Sequence, residues 1–327
     1  MLYPLKFTSQ LKERVWGGTR LRDLLGKEFP NHNKVYGESW ELSGVQDNIS
    51  VVSNGLLAGN TIQELIEVYM WDLVGEKIYQ KFGIEFPLLI KLIDTSEFLS
   101  IQVHPNDELA KERHHAYGKT EMWYVLDSSP ESKIITGFNS QLTREDYKKI
   151  VGEGNLSKHL KAETTKPHDF YYIPSGSIHS LGKDLLLVEI QQTSDLTYRI
   201  YDWDRKSEKG EQRELHTDLA IDAINFESEP IESQQVDFVE NSPQELISCP
   251  YFTTNRLIIK GAKINRDLYQ VDSFVVYVCI EGEVIIECDK SEDVIIKKGE
   301  LVLIPAEFNI IGLVPKPSAI VIEVYVE

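Results

Sequence analysis

Three stretches of the chain carry nitrogen and oxygen donors at spacings that a divalent cation could use. In Leu99-Ser100-Ile101-Gln102-Val103-His104 apolar and polar residues alternate. Alternate residues of a strand share a face, so Gln102 and His104 point the same way. In Lys119-Thr120-Glu121, at the head of MWYVL, the same period sets the ammonium of Lys119 beside the carboxylate of Glu121. His179 ends the third stretch, just past the turn residues Pro174-Ser175-Gly176. His104, His179 and Glu121, with Gln102 as an oxygen donor, suit zinc or a similar ion with one position left open. Structural zinc sites favour thiolates, so this set reads as a catalytic centre. The plainer reading makes Ser100, Gln102 and His104 the wet face of an edge strand. Recurrence of such positions beside turn signals in three β segments weighs against it.

The segment 191–205, QQTSDLTYRIYDWDR, follows the apolar run LLLVEI and is dense in polar and aromatic side chains. It can be a surface turn with a salt-bridged arginine. Alternatively, Arg199 projects into the mouth that holds the ion, as fixed positive charge for a phosphate or a developing oxyanion. The remaining histidines have no such setting. His114 and His115 lie in a charged helical stretch, and His32, His159, His168 and His216 sit in polar surroundings without a partner motif.

The elements that must position these groups are mostly short strands. LLIKLI (88–93), FLSIQV (98–103), MWYVL (122–126), FYYIP (170–174), LLLVEI (185–190), FVVYVCIEGEVIIEC (274–288) and LVLIP (301–305) are β-rich runs between Gly, Pro and Asn punctuation. Many strands without regular helices between them predict a mainly β chain of two barrels, with helices as insertions in the first half. Thr61 and Glu64 form a capping box that opens a helix over about 61–82. Pro105 fits the first turn of a second helix through DELAKERHH, and LTREDYKKIV (141–151) reads as a third. The acidic, Pro-containing stretch at 226–245 marks a boundary, dividing the chain into 1–235 and 236–327. The later part echoes the earlier: Tyr277-Val278-Cys279 matches Tyr124-Val125-Leu126, and LVLIPAE matches FYYIPSG.

At 327 residues, with 42% hydrophobic and 26% charged, the chain can bury a substantial core and is neither disordered nor fibrous. Its net charge of −18 argues against nucleic-acid and anionic-membrane partners. Three cysteines without CxxC spacing point to reduced thiols and a cytoplasmic setting. No apolar run approaches a signal peptide core or a membrane span.

Five ordered motifs, GESWELS (37–43), SIQVHPND (100–107), GKTEMWYVL (118–126), YYIPSGSIHSLG (171–182) and QQTSDLTYRIYDWDR (191–205), closely resemble the type I mannose-6-phosphate isomerases, in particular the short bacterial form. The resemblance covers about the first 205 residues. It implies two cupin-like (jelly-roll) barrels and a metal-dependent aldose–ketose isomerase that interconverts mannose 6-phosphate and fructose 6-phosphate through an enediolate. By position it implies metal binding by Gln102, His104, Glu121 and His179, catalytic cations Lys119 and Arg199, and Asp195 near them. It also places Trp16 of RVWGG near the substrate, with ordinary packing as the competing explanation, and Ser39 in possible contact with phosphate. The second barrel departs from the pattern: Phe274 stands in place of Glu121 and Ile310 in place of His179. One zinc per chain and a sugar phosphate as the small-molecule partner are therefore expected, in a monomer or weak homo-oligomer. Lys119 is a candidate base, or else a charged group that orients substrate while Glu121, His104 or a metal-bound water moves the proton. An isomerase for another sugar phosphate, an iron-dependent cupin oxygenase and an idle sugar-phosphate sensor remain as alternatives.

Overall fold

A computed structural model describes residues 1–206, 210–289 and 291–327. Strand makes up 41% of the chain and helix 16%, so the fold is mainly β, as expected. The first half is built on a six-stranded antiparallel sheet. Its strands run in the spatial order Gln10–Gly18, Tyr36–Ser43, Leu88–Thr95, Leu185–Gln192, Glu121–Ser128 and Phe170–Ile173. Tyr198–Tyr201 pairs with Ile101–Val103, and Lys133–Phe138 lies between Leu160–Thr164 and Ser180–Leu181. The second half is one seven-stranded sheet, organised around the long strands Val275–Cys288 and Ile310–Tyr325.

These sheets are cupin-like but do not close into the barrels expected from strand count. Layering one sheet over another protects strand edges without full closure. One face of the six-stranded sheet carries Ile90, Leu92, Met122, Tyr124, Val188 and Ile190 into a core that also contains Phe252, Phe274, Val276, Leu303 and Val324. The two halves thus share apolar packing, and the Phe86 and Phe274 rings meet at 4.7 Å. Burying each such side chain contributes about 1.5–3 kcal/mol. The opposite face of the same sheet is the one that bears polar groups.

The helices differ from expectation in two places. The 61–82 stretch begins with the expected Thr61–Glu64 capping box but breaks into Ile62–Tyr69, Trp71–Val74 and Glu76–Phe82. Met70 and Gly75 adopt positive φ at the breaks. Asp272, from the second half, accepts from the amides of Glu76 and Lys77 and so caps the last piece, which a continuous helix would forbid. In the second case Asn106, not Pro105, starts the helix Asp107–His114: its side chain accepts from the Leu109 amide. Pro105 stays outside, where its carbonyl accepts from the amide of Lys119. The third helix, Arg144–Gly152, opens with a capping box of Thr143 and Asp146.

Candidate active site

The site grows out of strand register. Across the polar face of the six-stranded sheet, Trp40 pairs with Lys91, Lys91 with Glu189, and Glu189 with Trp123. Two residues further along, Gln191 pairs with Glu121. Directly opposed residues have side chains on the same face, so this row lays down a pair of opposite charges flanked by two indoles beneath the donor groups. Lys91 Nζ donates to Glu189 Oε1 at 2.7 Å and to Gln191 Oε1 at 2.6 Å, while Trp123 Nε1 donates to Glu189 Oε2 at 2.9 Å.

Over this floor, His104, Glu121 and His179 converge, all buried, each offering a ligand atom within 4.8 Å of the others. Glu121 Oε2 is 3.5 Å from His104 Nε2, and Glu121 Oε1 is 3.4 Å from His179 Nε2. Both rings are oriented from behind. His104 Nδ1 donates to the Leu196 carbonyl at 2.8 Å and His179 Nδ1 to the Ser177 carbonyl at 2.9 Å. A carbonyl can only accept, so the protons sit on Nδ1 and both Nε2 lone pairs face the cluster. Gln102 joins through the backbone: its amide and carbonyl form a two-bond bridge with those of His179, at 3.1 and 3.0 Å. Its side-chain amide nitrogen stands 3.2 Å from His179 Nε2.

The electrostatics of the cluster are unbalanced. Glu121 is wholly buried, yet neither oxygen accepts a well-directed hydrogen bond, although Lys119 Nζ lies 3.1 Å from Oε2. Burial, reinforced by the charge of Glu189, pushes the Glu121 carboxyl above the usual carboxylate range. Burial acts on Glu189 in the same sense, but Lys91 and Lys119 outweigh it and hold that group down. For Lys119, burial opposes the charged form and is outweighed by Glu121 and Glu189, so its pKa is raised. Burial lowers His179 to about 4 and, with Lys119 adding to it, takes His104 well below the ordinary imidazole value. Two neutral imidazoles and a carboxylate with unused lone pairs are the donor chemistry of a divalent-ion site. Lys119 faces only one oxygen of this carboxylate, and a divalent ion would offset the remaining cost of burying it.

A cavity of about 400 Å³, within the range of small-molecule sites, lies beside this cluster and is connected to it through Gln102, which lines the cavity and is bridged to His179. Gln102, Trp16, Asp195 and Arg199 line it, together with Lys91 and Glu189. Trp16 is both wall and core, since it also packs with Ile93 and Leu99. Gly37 of GESWELS makes room for it: a Cβ there would overlap the indole. Ser39 lies outside the cavity lining. Strand alternation turns Glu38 and Trp40 toward the cavity and Ser39 away, where its hydroxyl donates to Glu41 Oε1 at 2.5 Å.

Sequence reasoning passed over several groups that build the cavity. Lys91 and Glu189 are charges inside apolar runs, a signal that each must be paired. Glu38, seen only as part of a motif, accepts from Arg14 through Nε at 2.9 Å and Nη2 at 3.0 Å, and from Trp40 Nε1 at 2.7 Å. His216 clamps the backbone of Arg199: its Nδ1 accepts from the Arg199 amide and its own amide donates to the Arg199 carbonyl. No local pattern announces that pairing.

A mainly β, cupin-like fold with a buried His–Glu–His cluster beside a cavity defines the class: a cupin-type protein with a donor set for a divalent ion. Residues 4–144 match the model of the phosphomannose isomerase type I catalytic domain, and residues 243–324 that of the mannose-6-phosphate isomerase cupin domain. The chain is 38% identical to mannose-6-phosphate isomerase ManA of Bacillus subtilis strain 168 over 86% of both chains. It is 35% identical to the mannose-6-phosphate isomerase of Streptococcus mutans over 80% of this chain and 81% of that one. A crystal structure of the mannose 6-phosphate isomerase from Bacillus subtilis superposes with a TM-score of 0.86 at 31% identity, covering 99% of this chain and all of that one. The chain therefore belongs to the type I phosphomannose isomerases, a metal-dependent family, and is an isomerase.

Proposed function

We propose that this isomerase interconverts mannose 6-phosphate and fructose 6-phosphate with one zinc ion per chain. The observation that carries the reading is the buried carboxylate of Glu121, without hydrogen-bond partners between two neutral histidines whose Nε2 lone pairs face it. A second buried carboxylate in the chain, Glu323, shows the contrast. It accepts from Asn255 Nδ2 (2.9 Å), Arg266 Nε and Nη2 (both 2.8 Å) and the Tyr277 hydroxyl (2.6 Å), so its charge and lone pairs are satisfied without a metal ion. Gln102, His104, Glu121 and His179 would hold the ion, which when bound supplies a Lewis acid for the carbonyl and its neighbouring hydroxyl.

The chain's own residues do the rest. The two sugars differ in the position of a carbonyl, so a proton must leave the carbon beside it and charge must accumulate on an enediolate. Lys119, within reach of His104 and Glu121, is assigned to hold and move a proton at the reacting carbons. Arg199 supplies fixed positive charge at the cavity wall. Trp16 forms an apolar face for the sugar ring, and Asp195 accepts from its hydroxyls. Residues from about 236 onward, whose buried polar cluster is internally satisfied, pack against the catalytic portion without contributing a second metal centre. Among the described residues no helix is long and apolar enough to cross a membrane, and all three cysteines are free. We place the enzyme in the cytoplasm as a monomer or weak homo-oligomer.

A coupled assay of fructose 6-phosphate formed from mannose 6-phosphate, before and after chelation and zinc return, tests this. Activity lost and regained supports it; full activity in protein shown to be metal-free overturns it.

A further inference from the structure

Beyond the last recognisable motif, and outside every residue assigned above, Arg213 lines the same cavity as Arg199. Asp202 fixes its guanidinium: Nε donates to Oδ2 at 2.7 Å and Nη2 to Oδ1. Asp202 is buried and also receives Arg205, so two arginines share one carboxylate. Its fork is thus aimed by a rigid partner on one edge, and among the described residues Nη1 has no protein acceptor.

Arg199 is prepared in a similar way. Nη1 donates to the Glu214 carbonyl at 2.9 Å, His216 clamps its backbone, and its buried Nε has no acceptor. No described ion pair includes it. The other cations of the cavity are already matched, Arg14 by Glu38 and Lys91 by Glu189. Arg213 shares the single carboxylate of Asp202 with Arg205, and Arg199 has no described ion pair, so positive charge exceeds negative charge around this wall. Arg213 accordingly disfavours the charged form of Arg199, second only to burial, and a bound anion would relieve that repulsion. Planar forks with unused N–H groups match the tetrahedral oxygens of a phosphate dianion.

We infer that Arg213, held by Asp202, forms with Arg199 the subsite that binds the substrate's phosphate group, and so selects phosphorylated over free sugar. The inference rests on the proposed sugar-phosphate substrate. Asp195 and Glu13 also border the cavity. Carboxylates there suit sugar hydroxyls and repel phosphate, which confines the dianion to the arginine wall.

The test uses the zinc-loaded full chain with Arg213→Gln and Arg213→Lys, measuring kcat and KM for mannose 6-phosphate and the inhibition constant of inorganic phosphate. A charge-assisted contact of this type corresponds to a roughly tenfold to hundredfold change in binding. KM and the phosphate inhibition constant should rise together by that factor in Arg213→Gln, with kcat within about threefold, and Arg213→Lys should fall between. Unchanged values of both constants in folded Arg213→Gln overturn the inference and leave Arg213 as a partner of Asp202 only. Should that variant fail to fold, an Arg213→Lys enzyme with wild-type phosphate inhibition overturns it equally. If the wild-type chain does not turn over mannose 6-phosphate, the proposed function fails. The subsite then stands only if inorganic phosphate, followed by calorimetry, binds the wild type and is lost in Arg213→Gln.

Discussion

Gln102 and Arg199, far apart in sequence, are directly opposed residues of the antiparallel pair Ile101–Val103 and Tyr198–Tyr201. On its other side Gln102 is bridged to His179. Gln102 therefore sets the cavity arginine on a common face with itself and is tied by backbone hydrogen bonds to His179 of the buried cluster.

Arg199 should matter to turnover far more than to folding. Among the described residues its side chain makes one hydrogen bond, to the Glu214 carbonyl, and its Nε has no partner. Arg199→Ala is expected to lower kcat/KM on the order of 10²–10³-fold, the range found for loss of a preorganised charge-stabilising donor. Thermal denaturation should shift by only a few degrees. Near-normal kinetics would remove the residue from the site.

Metal and fold stability should be linked through the cluster. A ligand that binds only the folded chain stabilises it by about 4 kcal/mol at a thousandfold excess over its dissociation constant. Zinc added to chelated protein should raise the melting temperature, and His179→Ala should abolish both that rise and stoichiometric zinc by elemental analysis. A variant that kept both would sink the ligand assignment.

The shared core predicts that damage in the second half reaches the first. Phe274 is fully buried against Phe86. Phe274→Ala should cost about 3–5 kcal/mol in urea denaturation of the metal-loaded protein. The loss should appear when unfolding is followed by zinc release, and an unaltered zinc-release midpoint would show that the halves are energetically separate.

Breaking the internally satisfied cluster should destabilise without touching chemistry. Arg266→Ala removes two of the four donors to Glu323 and leaves a buried carboxylate poorly compensated. A loss of about 3–5 kcal/mol is expected. The folded fraction should keep the wild-type KM, and a large change in KM would place the second half within the substrate site.

Much of this site was legible in sequence because strand alternation is local. The period of two in LSIQVH and KTE aligned Gln102 with His104 and Lys119 with Glu121, and turn residues set off His179. The capping box at Thr61 and the mainly β character were readable for the same reason: neighbours in sequence carry them. Alternation names the two faces of a strand without saying which one meets the cavity. GESWELS offers Glu38 with Trp40 or Ser39 with Glu41, both sets polar, and a one-residue change of register exchanges them. Tertiary packing turned the first set toward the cavity. It alone also opposed Lys91 to Glu189, brought His216 behind Arg199, broke the 61–82 helix with Asp272, and turned Arg213 into the cavity. Each of these is a long-range pairing, fixed by which surfaces bury together, and no local pattern of residue types specifies it.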